Sequence, residues 1–254
     1  MTAYILCIAA LFGAAMGSFV NCASARLGSG ESVLKGRSHC PACGHVLGAI
    51  DLIPVAGYLL LRGRCRYCGA RIAPRCLVTE LLGAAACVSL VLCYGVTLQA
   101  AAYAAMLFML LAAALVDLDT GLIPDRLILM GIGAFLVYAL FQKPVLPALL
   151  RGLLGGFAAS VPLLLFVLLA DRLMGRETMG GGDIKLFFMA GLYFDWQRAI
   201  LLLIFSCLCG IAFAVYAKKK RGAEFPFGPG IAAGAFATAL FGAPLLNWYL
   251  GLFF

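Results

Sequence analysis

Long apolar runs separated by short polar stretches define this chain. Eight of them, at about 3–22, 77–94, 98–116, 127–141, 148–170, 184–195, 198–217 and 229–251, carry almost no charge. Most approach the ~20 residues a helix needs to cross the core of a bilayer. All are continuous, whereas a membrane β-barrel is written in short alternating segments. The pattern predicts an all-α polytopic membrane protein of about eight transmembrane helices, the sixth being the shortest. One polar stretch alone, between the first two runs, is large enough to be a domain. Three parts are expected: a first transmembrane helix over 1–22, a small insert over 23–76, and a seven-helix membrane domain over 77–254.

Composition agrees. Of 254 residues, 64% are hydrophobic and 12% charged, where a soluble domain carries about a quarter charged residues. The first run, Ala3 to Val20, has no charged residue ahead of it. A retained helix is therefore expected there rather than a signal peptide. There is no tandem repeat and no low-complexity tail.

The net charge of +8 changes meaning once it is placed along the chain. With eight crossings the loops alternate sides. Sixteen of the nineteen lysines and arginines then fall on one side, among them Lys35, Arg62, Arg64, Arg66, Arg71 and the run from Lys218 to Arg221. Lys143, Arg151 and Arg198 fall on the other. Basic loops stay in the cytoplasm, so the insert is expected there and both termini outside. The charge reads as a topology signal with contact to anionic lipid, not as a nucleic-acid footprint. Nothing in the pattern specifies how many copies assemble.

The same alternation brings the acids together. Asp117 and Asp119 close the third run where it reaches the cytoplasm, and Asp183 opens the sixth where it leaves. Ionisable residues at a membrane segment are functional candidates by default. Two neighbouring carboxylates share a proton, so one can serve as base toward water while the other donates to a carbonyl. The first two acids stand two residues apart, about 200° round a helix, so only one of them can face a given pocket. Gly180, Gly181 and Gly182 precede Asp183 and would let main chain approach an extended peptide. Asp183 could instead cap its helix, as Asp125 looks placed to do after Pro124. Asp171 and Glu177 lie near the same face. A proton- or cation-coupled transporter is the rival reading, though it would favour acids near the midplane and repeated halves.

The insert carries its own signal. Cys40-Pro41-Ala42-Cys43 and Cys65-Arg66-Tyr67-Cys68 are two CxxC pairs, each followed by glycine. Four thiolates at this spacing read as a closed structural zinc site. Disulfides are disfavoured in the cytoplasm. Such a site would fold an insert too small for a core, with His39 and His45 as competing ligands. The remaining cysteines lie in or beside apolar runs and are expected to pack as small hydrophobes.

These residues, in order, resemble the bacterial type IV prepilin peptidases, polytopic GxGD-type aspartyl proteases of the inner membrane. The likeness includes Gly17-Ser18-Phe19 with Asn21, Arg26-Leu27, both CxxC pairs and Leu61-Arg62-Gly63-Arg64. It continues through Glu80, Asp117-Leu118-Asp119, Ile123-Pro124-Asp125, Gly180 to Lys185, and Pro226-Phe227-Gly228-Pro229. The family places its first catalytic aspartate seven residues ahead of the Ile-Pro proline. The resemblance thus implies Asp117 and Asp183 as the dyad, with Asp119 in reserve. It also implies removal of a short basic leader from prepilins or pseudopilins of type IV pili or type II secretion, at the cytoplasmic face. Members with the cysteine insert also resemble N-methyltransferases using S-adenosylmethionine. That activity would fall to the insert and its neighbours Asn21, Arg26, Gly63 and Glu80. Cys22 stands where the family often has valine.

Overall fold

The computed structural model describes residues 3–29, 36–176, 178–216 and 226–252. Lys35, Glu177 and the run from Lys218 to Arg221 lie outside them. Among the described residues there are nine helices and no strand. They fall into two compact units, Met1–Gly95 and Val96–Phe254. Eight helices coincide with the eight apolar runs. The additional one, α2 (Ala56–Leu60), is a single turn inside the insert.

In the first unit α1 (Ala3–Ser29) packs along α3 (Pro74–Tyr94). Both are long and apolar enough to cross a membrane. With lipid on every side the hydrophobic effect cannot hold two such helices together, so close backbone approach must do it. Gly13 and Gly17, one turn apart on α1, provide it. A Cβ at Gly13 would run into the carbonyl of Gly83, and one at Gly17 into that of Thr79. This small-residue spacing is plain in the sequence. Polar groups bridge the same helices, with Arg75 Nη2 donating to the buried Ser24 Oγ at 3.1 Å.

The second unit contains α4 (Leu98–Thr120), α5 (Asp125–Phe141), α6 (Val145–Met174), α7 (Gly181–Gly191), α8 (Trp196–Tyr216) and α9 (Gly228–Leu250). Four of these have the length and hydropathy of membrane spans, and α4 is the most deeply buried of them. It lies between α5 and α9, while α6 packs on α7 and α8. With 17 and 11 residues, α5 and α7 fall below the usual spanning length; α7 is only ~16 Å long. It replaces length with burial. Leu186, Phe187, Met189 and Ala190 are fully enclosed, and the turn beyond α7 bonds Tyr193 Oη to the Gly131 carbonyl at 2.7 Å. Gly152, Gly155 and Gly156 of α6 lie against Leu192, Phe194, Gly191 and Phe188, where a Cβ would clash or crowd.

The unit therefore has two distinct ends. At one, Arg198 holds Asp195 Oδ2 at 2.6 Å and donates to Tyr103 Oη at 3.2 Å. At the other, the last turn of α4 meets the first turns of α7 and α9. The acids lie here.

Candidate active site and cysteine cluster

Asp117 occupies the last turn of α4, which ends at Gly121 in the left-handed conformation with its N–H on the Asp117 carbonyl. The side chain is buried. Its Oδ2 accepts the backbone N–H of Gly228, the first residue of α9, at 2.8 Å. The positive end of a helix thus faces a carboxylate. A side chain there would crowd the acid, because a Cβ at 228 would come within 2.8 Å of that oxygen and 3.2 Å of Ala114 Cα. Gly228 is the contributor that the sequence reading missed; it had appeared only as part of the opening of the last span. Asp119 is exposed.

Asp183 lies in the first turn of α7, ahead of its apolar run and outside the six spanning helices. The capping alternative does not describe it: Gly180 is the N-cap, and no side chain caps this helix. Its Oδ1 is buried with no hydrogen-bond partner among the described residues. Burial, and then the charge of Asp117, push its carboxyl up to about 7. Both causes act in one direction, since each penalises a second negative charge in a poorly solvated place. The site therefore holds one carboxylate fixed by an N–H and one carboxyl poised to keep a proton near neutral pH.

The surrounding groups set this pair in place. Asp171, at the end of α6, accepts both the N–H and the hydroxyl of Thr178 at 2.7 and 2.6 Å, tethering the approach to Gly180. Lys185 Nζ meets Asp125 Oδ1 at 2.8 Å. Asp125 is thus not the cap expected of it; Pro124 holds the cap position and Asp125 begins α5. Nor do Gly180 to Gly182 use a left-handed backbone. They start a helix, with open space above Gly181 and Ile123 against Gly182. Beside them is a cleft of about 440 Å³ between α5, α6 and α7, lined chiefly by Ile128, Leu129, Ile132, Ile184 and Phe188.

In the first unit the four cysteines converge, with their sulfurs all within 4.8 Å of one another. Each CxxC is a tight turn. Gly44 N–H bonds the Cys40 carbonyl at 2.8 Å and Gly69 N–H the Cys65 carbonyl at 2.9 Å, both glycines having φ near +70°. Cys40 and Cys68 sulfurs are 3.8 Å apart. Bonds of ~2.3 Å to one tetrahedral ion imply a separation of about 3.8 Å, so the donors fit a four-thiolate metal. The N–H groups of Cys43 and Ala42 bring the Cys40 thiol down to about 7, easing loss of its proton to a metal. The two turns are tied by the His45 and Tyr67 rings, 3.6 Å apart, and by Asp51, which takes Arg66 at 3.2 Å and Tyr67 at 3.3 Å.

Asn21, Arg26, Gly63 and Glu80 do not open toward a common ligand. Asn21 Nδ2 bonds Cys76 Sγ at 3.3 Å, Arg26 Nη2 the Gly36 carbonyl at 3.3 Å. Gly63 is pressed against Tyr58. Buried Glu80 accepts the Val55 N–H at 2.6 Å. Among the described residues, each of the four is thus engaged by the protein's own groups.

Comparison with known proteins matches both units. Residues 11–94 fit the profile of the bacterial peptidase A24 N-terminal domain, and residues 104–215 that of the type IV leader peptidase family. The chain is 31% identical over 250 residues to a prepilin leader peptidase/N-methyltransferase of Bacillus subtilis, covering 97% of this chain and 98% of that one. A protein of the same description from Burkholderia pseudomallei is 33% identical over 227 residues, with 88% and 73% covered. One from Dichelobacter nodosus is 36% identical over 211 residues, with 82% and 72% covered. No solved structure matches significantly. A polytopic helical protein with paired acids at the meeting of three helix ends, the chain belongs to the type IV leader peptidase family, a family of proteases.

Proposed function

We propose that the chain is a membrane aspartyl endopeptidase that removes the leader from prepilins or pseudopilins, with Asp117 and Asp183 as the catalytic pair. The observation that carries this is the buried Asp117, held by the Gly228 N–H, together with the buried and unpartnered Oδ1 of Asp183 at the opening of α7. Asp117 takes a proton from the attacking water. Asp183, still protonated near neutral pH, donates to the scissile carbonyl; as the gem-diol collapses and the C–N bond breaks, Asp117 passes its proton to the departing amine nitrogen and a gem-diol hydroxyl returns one to Asp183. The step needs no metal. Asp119 is exposed and stays in reserve. Open space over Gly181 leaves room for an extended strand beside the pair, and the apolar cleft can take side chains of the helix that follows the cut.

The distribution of lysine and arginine supports a cytoplasmic site in the inner membrane. The four cysteines are read as a structural zinc site that folds the 23–76 insert. Methylation of the new N-terminus comes to this chain from its relatives' description alone. Asn21, Arg26, Gly63 and Glu80 are the residues that would lie nearest the methyl donor, S-adenosylmethionine. A purified enzyme given a synthetic prepilin, scored by mass for leader loss and methyl gain, tests both activities. Cleavage that survives Asp183→Asn would overturn the dyad.

A further inference from the structure

Within the insert, the stretch from Ile50 to Leu60 is unusually greasy for a surface. Ile50, Leu52, Ile53, Leu59 and Leu60 are all largely exposed. Grouped exposed apolar residues mark an interaction surface, and here the fold says where that surface is. Gly57 N–H bonds the Ile53 carbonyl at 2.8 Å, packing α2 onto the preceding turns. Val55 N–H is bonded to Glu80, six residues into α3. That places the stretch about 9 Å along a spanning helix, not out in the solvent. Val78, Leu81 and Leu82 of α3, around Glu80, are exposed too, so the patch continues a flank that faces lipid.

Its backbone is held rather than relaxed. Val55 has φ 61° and ψ −54°, a γ-turn closed by Ala56 N–H on the Pro54 carbonyl at 2.6 Å. A β-branched residue rarely adopts that conformation, and the buried Glu80 carboxylate fixes it. Arg62 and Arg64 follow directly and are exposed.

We propose that Ile50–Leu60 is an interfacial anchor, seated in the anionic leaflet that α3 enters, with the arginines that follow meeting lipid phosphates. An apolar face buried ~5–10 Å at the headgroup boundary, joined to a basic flank, is how amphipathic segments lie on membranes. The anchor would stop the metal-bearing insert from swinging about its two helical tethers.

The test uses the full chain in nanodiscs of phosphatidylcholine and phosphatidylglycerol at 7:3, with a benzophenone amino acid in place of Leu60. A second protein carries the same probe at Arg71. Irradiation followed by peptide mass analysis should give phospholipid adducts at 60, with phosphatidylglycerol at least twofold over its mole fraction. Adducts at 60 should exceed those at 71 several-fold. Crosslinks from 60 to residues 96–254 or to a second copy, in place of lipid, would overturn the anchor. Adducts merely mirroring the lipid mixture would overturn its preference for anionic lipid. Leader cleavage by the probe-bearing protein serves as the folding control, so a failed dyad and a failed anchor give separate signals.

Discussion

The two chemical centres of this molecule are assembled in opposite ways. Each half of the cysteine cluster is complete within five residues: two sulfurs, a turn, and a glycine that closes it. Only the docking of two identical turns is left to the fold. The acid pair has no local component. Asp117 and Asp183 are 66 positions apart, and the N–H on Asp117 comes from a residue 111 positions away. A locally built site should tolerate distant change and fail on loss of its ligand. One assembled from helix ends should fail when any of those ends shifts.

The largest effect expected from that contrast is at the acids. Asp117→Asn should lower leader cleavage by about 10²–10⁴-fold or more, the scale of lost general acid–base catalysis. Asp119→Asn should remain within a few-fold of wild type in the same assay. Reversal of that order would move the pair by two residues. Next comes the close approach at α9. Gly228→Ala brings a methyl group onto Asp117 Oδ2 and should reduce kcat by roughly 10–100-fold, since a displacement of about an ångström at a reacting group costs on that order. Circular dichroism should show helix content intact.

The pH dependence probes the same site. Asp183 is raised to about 7 in the fold from 3.8, so its proton is present below neutrality and is lost above it. Cleavage should fall as pH rises through about 7. The stability consequence has the matching sign: the unfolded chain ionises this group first, so the fold loses stability between pH 4 and 7. Asp183→Asn should accordingly raise the melting temperature at pH 8 while removing activity. The cysteine site should respond in the opposite manner. Chelation or Cys40→Ser should expose the 36–73 region to limited proteolysis, while cleavage of prepilin drops by less than about tenfold. Smallest of all is Lys185→Ala. Its ion pair with Asp125 is well exposed on both sides, and such pairs are worth about 0–1 kcal/mol, so cleavage and melting should barely move.

Several features were legible before any coordinates. Apolar runs declare helices because a bilayer leaves the backbone no other partner than itself, and all eight runs are helices here. The CxxC pairs declare a cluster of four sulfurs able to hold a metal, because ligand spacing is a local property. What was misread was equally instructive. Asp125 looked like a cap because it follows a proline, yet its charge is met by Lys185 from another helix. Asp183 looked able to cap its own helix, yet Gly180 holds that position and Asp183 lies within the first turn.

By itself, the sequence determined the eight long helices, the cysteine turns and the acids that could matter, since each follows from hydrophobicity or spacing over a few residues. The tertiary structure alone decided that Asp117 turns inward while Asp119 faces out, that Gly228 supplies an N–H, and that Glu80 is spent on Val55. Those outcomes depend on the rotation and depth of whole helices against one another. Helix-to-helix packing through small residues sets both, and no local pattern encodes them.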